Sequence, residues 1–154
     1  MTVAQRLQEL GLALPAAPSP VANYVSAVRT GNLVFLSGHS GRRPDGTVLT
    51  GKLGRDISVE QGYEAARDTM LNCLATLQRE IGDLETVVRI VKVLGMVNCT
   101  EDFGDHPRVM NGASDLLVSL FGERGRHARS AVGMQMLPNN IAVEIEMIVE
   151  VAAN

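Results

Sequence analysis

The chain has 154 residues, of which 45% are hydrophobic, so it can bury a core and is not a disordered polar protein. Its formal net charge is −3 with no basic block, which argues against a nucleic-acid partner because such interfaces neutralise many phosphates. No stretch approaches the roughly 18 apolar residues of a membrane span, and no secretory signal is evident, so we expect a cytoplasmic protein without membrane partners. We expect residues 1–154 to form a single domain, with 1–20 as a helix and linker extension.

The N-terminal third predicts a short helix, a linker and a hairpin. Residues 2–11 carry apolar side chains at helical spacing and end in a glycine, which is typical of an amphipathic helix. A linker with three prolines follows. Residues 24–37 are expected to form a β-hairpin whose turn is Thr30-Gly31-Asn32. The glycine-rich residues 38–56 are expected to be a loop, and they lack the spacing of a phosphate-binding loop.

The middle of the chain predicts two helices with a strand between them. Ser58 and Gln61 have capping-box spacing, and apolar residues recur at helical intervals until Gly82. Val87 to Val97 is expected to be a buried strand interrupted by Gly95. A second helix over about 106–121 has Asp105 as a plausible cap and Pro107 in its first turn. Both cysteines, Cys73 and Cys99, are isolated and expected to be reduced, and no metal or organic cofactor is suggested.

Residues 126–151 are expected to form a second β-hairpin around Pro138-Asn139-Asn140. Its second strand alternates, with Glu144, Glu146 and Glu150 on the face opposite an apolar one. A solvated sheet face is the ordinary interpretation of these glutamates, and a site lined by one or two of them is the alternative. Arg129 favours the alternative, because a guanidinium binds a carboxylate through two parallel hydrogen bonds.

The predicted hairpin has a geometric consequence. A turn centred on Asn139 would place Glu144 opposite Met134 and Arg129 opposite Val149. The partner of Arg129 then lies about 16 Å along the strand from Glu144, at about 3.3 Å per residue. The two groups could share a site only through a neighbouring subunit, or if twist or a bulge changed the register.

The order of elements is strand, strand, helix, strand, helix, strand, strand, which favours an α+β fold with two helices on one face of a mixed sheet. Several segments in this order resemble the Rid/YjgF family of reactive-intermediate deaminases, which are also described as endoribonuclease L-PSP. These segments are YVSAV at 24–28, GNLVFLSG at 31–38, the surroundings of Asn111, ARSAV at 128–132, LP at 137–138 and VEIE at 143–146. The resemblance covers roughly residues 20–152 and implies a chorismate-mutase-like fold and a homotrimer with sites between subunits.

The resemblance also implies roles for individual residues. Arg129 resembles the carboxylate-binding arginine, and Glu144 resembles the glutamate that orients water. The remaining matched positions are substrate-binding: Tyr24, Ser37, Gly38 and Asn111 in the pocket, and Ala131 as a backbone contact. Three of these residues also have a purely structural interpretation: Tyr24 could cap the first strand, Ser37 could end the second strand, and Asn111 could be an amide on the helix surface. The chain also differs from the common pattern of the family. It has alanine at 131, where many members have cysteine, and it has an N-terminal helix and a long loop, which indicate a divergent, longer-chain branch.

The function expected is hydrolytic deamination of small 2-imino or enamine acids, in which Arg129 captures the carboxylate and Glu144 activates water. The first alternative is a non-catalytic regulatory protein that binds small carboxylates. The second alternative is an endoribonuclease. The chain has three histidines, His39, His106 and His127, and their positions suggest no acid–base pair, which argues against this alternative.

Overall fold

The computed structural model describes residues 1–153 and has a five-stranded mixed sheet with helices packed on one face, which confirms the predicted α+β class. The helices are α1 (Val3–Glu9), α2 (Val59–Ile81) and α3 (His106–Phe121). The strands are β1 (Ala27–Thr30), β2 (Leu33–Leu36), β3 (Val87–Asn98), β4 (Ala128–Met134) and β5 (Val143–Val151), in the sheet order β1-β2-β5-β3-β4. Short 3-10 turns occupy Leu84–Thr86, Gly122–Gly125 and Pro138–Asn140.

The predicted hairpin over 126–151 is wrong, because β4 and β5 are not neighbours in the sheet. β4 lies at the edge and runs parallel to β3, whereas β5 lies between β2 and β3 and is antiparallel to both. The turn at Pro138–Asn140 exists, with left-handed backbone at Asn139 and Asn140. The backbone beside it is bonded elsewhere, since Asn140 and Ala142 pair with residues 49–51 and Ala142 also accepts from Asn98.

The pairings that followed from that hairpin are also wrong. Arg129 pairs with Val93, and Val93 pairs with Met147, whereas Glu144 pairs with Met96. The Cα atoms of Arg129 and Glu144 are therefore separated by three residues along the strands and two strand spacings, or about 14 Å. An odd offset also places their side chains on opposite faces.

The N-terminal elements match their predictions closely. Thr2 and Gln5 form a capping box at the start of α1. Thr30 pairs with Leu33 across the tight turn, although β1 begins three residues later than expected. Gly31 has a φ of 58° and Asn32 does not share its positive φ, which suits a type II′ turn with glycine at the first central position.

The two long helices begin and end where the sequence signals indicate. The Ser58–Gln61 capping box opens α2, and Gly82, with a φ of 83°, closes it. Asp105 precedes α3 as predicted, but its side chain makes no cap hydrogen bond and instead contacts Arg108 at 3.4 Å. The helices cover one face of the sheet, where the side chains of β3 and β5 are fully buried.

β3 is continuous through Gly95, so the predicted interruption there is wrong. Gly95 faces α3, and a Cβ at this position would collide with the side chain of Met110. Glycine is therefore required by the close approach of the helix rather than by a break in the strand.

The other face of the sheet, called here the open face, remains partly exposed. It carries apolar side chains, including Val28, Phe35 and Val132, which are 38–55% exposed, together with the half-buried Glu144 and Glu146. Within residues 1–153, no helix combines the length and apolar character that a bilayer crossing requires.

Candidate active site

The seven residues predicted to form the site fall into two separate clusters. The arginine cluster consists of Arg129, Asn111 and Ala131 and lies between β4 and α3. The glutamate cluster consists of Glu144, Gly38, Ser37 and Tyr24 and lies at the open face, where β5 meets the end of β2.

The arginine cluster is organised by one stripe of α3. Nη1 of Arg129 donates to Oδ1 of Asn111 at 3.0 Å and to Oγ of Ser114 at 3.1 Å, and Nη2 approaches the carbonyl of Pro107 at 3.5 Å. Pro107, Asn111 and Ser114 are spaced i, i+4 and i+7, so they share one helix face. Asn111 is therefore more than a surface amide, because it fixes the direction of the guanidinium.

All three acceptors around Arg129 are neutral, so its positive charge is not compensated. Within residues 1–153, no carboxylate oxygen lies within 4.0 Å of this guanidinium. These contacts engage Nη1 and Nη2, and no acceptor for the N–H of Nε is found within residues 1–153. A guanidinium with a donor left over and no carboxylate partner is suited to bind a carboxylate.

His127 supports the cluster without adding charge. Its Nε2 lies 2.9 Å from Oγ of Ser114, and its Nδ1 lies 2.7 Å from the carbonyl of Gly125. Burial lowers the pKa of His127; the Gly125 hydrogen bond opposes this effect, and the charge of Arg129 adds to it. The imidazole is therefore neutral near pH 7 and leaves Arg129 as the cation of the cluster.

Ser114 was missed by sequence reasoning although a signal was available. It is three residues after Asn111, so it lies on the same face of the predicted helix. Ala131 follows Arg129 by two residues and therefore shares its face, where it packs against the core. Its side chain brings no reactive group to the cluster.

The glutamate cluster places a carboxylate against a glycine. A Cβ at Gly38 would lie 2.9 Å from Oε2 of Glu144, so a larger residue would displace the carboxylate. Burial raises the pKa of Glu144, and the neighbouring charge of Glu146 raises it further. Glu144 thus retains its proton to higher pH than an ordinary glutamate, which suits a group that accepts and returns protons.

Tyr24 and Ser37 border a small cleft that is connected to this carboxylate only through Gly38, since Glu144 is not one of its walls. The cleft has a volume of about 190 Å³, and its walls also include Gly38, His39 and part of the proline-rich linker. Oγ of Ser37 donates to the carbonyl of Val25 at 2.7 Å, so this serine also ties the strand ends together. His39 was not predicted as part of this region; its buried ring bonds to the Ser37 carbonyl at 2.6 Å and to Thr76 at 2.8 Å.

Residues 4–151 match the family described as "YjgF/chorismate mutase-like, putative endoribonuclease". Protein TCP17 of Trypanosoma cruzi is 45% identical over 149 residues, covering 96% of this chain and 93% of that protein. A 2-iminobutanoate/2-iminopropanoate deaminase of Dermatophagoides farinae is 30% identical over 139 residues, covering 90% and 93%. The crystal structure of protein Atu1372 of Agrobacterium tumefaciens matches with a TM-score of 0.92 and 41% identity, covering 97% of this chain and 92% of that one. The chorismate-mutase-like fold is confirmed.

Proposed function

Because the chain belongs to the YjgF/Rid family, we propose that it hydrolyses small 2-imino or enamine acids to 2-oxo acids and ammonia. The observation that carries this proposal is the guanidinium of Arg129, which neutral groups hold in place and which has no carboxylate partner within residues 1–153. The likeness to a 2-iminobutanoate/2-iminopropanoate deaminase supports the choice of substrate class.

In the proposed reaction, Arg129 binds the substrate carboxylate and fixes the position of the imine carbon. Glu144 accepts a proton from a water molecule, whose oxygen forms a bond to that carbon. Glu144 returns that proton to nitrogen, which gives a carbinolamine. Glu144 then takes the proton of the new hydroxyl group and passes it to the amine, so the carbon–nitrogen bond breaks, the carbonyl forms and ammonia leaves. An enamine acid first takes a proton on its β-carbon and loses one from nitrogen, which gives the imine. The chemistry consumes one water and needs only these residues.

We further propose a homotrimer in which the arginine cluster of one copy meets the glutamate cluster of another. Within one chain the two clusters lie on opposite faces of the sheet, with the Cα atoms of Arg129 and Glu144 about 14 Å apart. The apolar side chains of the open face offer a surface that another copy would cover. A cytoplasmic location and a single domain stay predictions from the sequence.

The test is a coupled assay in which an amino-acid oxidase generates 2-imino acids and ammonia release is followed. Glu144→Gln is expected to lower kcat by about 100-fold or more, because it removes the general base. Binding of a stable 2-oxo acid, measured by calorimetry, should survive in Glu144→Gln and be lost in Arg129→Ala. These two variants separate the chemical step from carboxylate capture.

The same assay separates the enzyme from a binding protein. If wild-type protein binds 2-oxo acids through Arg129 but does not accelerate ammonia release, the chain is a carboxylate-binding or regulatory protein. RNA cleavage that is lost on exchange of Arg129 or Glu144 would instead support the endoribonuclease alternative. The structure favours this alternative least, because the histidines have separate partners: Thr76 for His39, Cys99 for His106 and Ser114 for His127.

A further inference from the structure

A cysteine–histidine pair lies in a cleft that neither cluster uses. Cys99 directly follows β3, and His106 is the first residue of α3. Sγ of Cys99 lies 3.4 Å from Nε2 of His106, within hydrogen-bonding range for sulfur. The cleft has a volume of about 670 Å³ and is lined in part by Lys52, Arg55 and Glu101. That volume falls within the range of small-molecule sites.

The approach of the two side chains is built into the fold. A Cβ at Gly133 on β4 would lie 2.7 Å from Nε2 of His106 and 2.8 Å from Sγ of Cys99. Only glycine at this position leaves room for both groups. The ring of Phe103 packs edge-on against the imidazole, with a centroid distance of 5.2 Å and an interplanar angle of 74°. These contacts restrict the imidazole beside the thiol.

A fixed cation lies at the same cleft. Nζ of Lys52 donates to Oδ1 of Asn98 at 2.7 Å and to the carbonyl of Gln135. Burial raises the pKa of Cys99, whereas the charge of Lys52 lowers it. The thiol therefore needs a proton acceptor in order to react, and His106 is positioned to be that acceptor.

We propose that Cys99 is a nucleophile that captures small anionic electrophiles, with His106 as its proton acceptor and Lys52 as the cation that attracts the anionic group. The class of ligand is a small carboxylic acid that carries an electrophilic carbon. For an α,β-unsaturated acid, sulfur bonds to the β-carbon and the π electrons move to the α-carbon. The α-carbon then takes the proton that the thiol gave to His106, so the addition is balanced without an oxidant or reductant.

The two cysteines of the chain provide an internal comparison. Cys73 is fully buried in α2, and burial raises the pKa of its thiol strongly. Its Sγ lies 3.7 Å from the carbonyl of Ile145, inside the core. It is expected to stay unmodified in the folded protein, so any labelling there reports unfolding.

The proposal is tested by labelling the native full-length protein with iodoacetate and with iodoacetamide, which are alike in size and differ in charge. In both reactions the sulfur–carbon bond forms, iodide leaves, and the thiol proton passes to His106. Peptide mass spectrometry gives the rate at each cysteine. We expect the iodoacetate-to-iodoacetamide rate ratio at Cys99 to exceed that of N-acetylcysteine amide, a neutral free thiol, by about 5-fold, the effect of one nearby charge in water.

Two variants assign the roles. Lys52→Met should reduce the rate ratio to that of the free thiol while iodoacetamide still reacts. His106→Gln should slow both reagents by about 10-fold or more. Lys92→Met is the matched control, because Lys92 lies on the open face, where its Nζ bonds to Ser130; this variant should keep the wild-type ratio.

Three results would overturn the proposal. One is a Cys99 that no reagent labels in the folded protein although it reacts after unfolding. The second is a rate ratio equal to that of N-acetylcysteine amide. The third is a ratio that Lys52→Met and Lys92→Met change equally. Circular dichroism and unlabelled Cys73 establish that each variant is folded.

Discussion

Arg129 and Glu144 are each shaped by groups that a sequence pattern does not connect. The direction of the guanidinium depends on Asn111 and Ser114, which are 18 and 15 residues away along the chain. The position of the Glu144 carboxylate depends on the missing side chain of Gly38, more than a hundred residues earlier. The residue types could be chosen from the sequence, but their orientations could not.

The raised pKa of Glu144 leads to a prediction about stability and pH. The folded chain binds this proton more tightly than the unfolded chain, so the contribution to stability is complete below the ordinary value of 4.5 and is lost as pH rises through the folded pKa. Glu144→Gln should therefore be more stable than wild type at pH 7, by roughly 0.5 kcal/mol or about 1–2 °C in Tm.

Thermal unfolding of both proteins across pH 4 to 7 checks this expectation. The advantage of Glu144→Gln should shrink as pH falls, because wild-type Glu144 then becomes neutral too. Glu150→Gln is the control, since it removes a carboxylate from the same face of β5 at a position paired with Arg89. A Glu144→Gln protein with no gain at pH 7, or with a gain independent of pH, contradicts the assigned cause.

At the scale of elements, α2 and α3 meet through a glycine. A Cβ at Gly112 would overlap the carbonyl of Tyr63 in α2, a backbone group that cannot rotate away. This contact sets how closely the two helices pack, and α3 in turn carries the residues that hold Arg129. The helix interface and the arginine cluster are therefore mechanically linked.

Gly112→Ala is expected to destabilise the protein by about 1–3 kcal/mol. Alanine favours a helix by about 1 kcal/mol over glycine, but the steric overlap is with backbone and outweighs this gain. Urea unfolding measures the change. Gly104→Ala is the matched control, because no heavy atom lies within 4 Å of its added Cβ, and its midpoint should stay near wild type. Equal midpoints for the two variants would mean that the helices move apart at little cost.

At the scale of the whole molecule, the proposed site needs more than one copy of the chain. Arg129→Ala and Glu144→Gln proteins should each be inactive alone. When the two are co-expressed and assemble randomly, about one quarter of the sites should combine an intact arginine cluster with an intact glutamate cluster. Ammonia release should then return to about one quarter of the wild-type rate.

Co-expression of Arg129→Ala with Arg129→Gln provides the control, because no mixture of these chains contains an intact arginine cluster. The mass of each assembly, measured by light scattering, should correspond to three chains. A mixture of Arg129→Ala and Glu144→Gln that stays inactive although its chains co-assemble would place both groups of a site on one chain, against the proposal.

The sequence by itself determined where the helices lie, which face of the last strand is apolar, and the first hairpin. The start of α2 and the first hairpin depend on contacts between residues close in the chain, namely the Ser58–Gln61 capping box and the tight turn at Gly31. Both could therefore be predicted from the local sequence. Only the tertiary structure decided the partners of β4 and β5. Eight residues, 135–142, separate β4 from β5, and a connection of this length does not force the two strands to pair with each other. β5 instead pairs with β2 and β3, where its apolar face is buried under the helices. Strand pairing is non-local, which is why the separation of Arg129 from Glu144 became visible only in the folded chain.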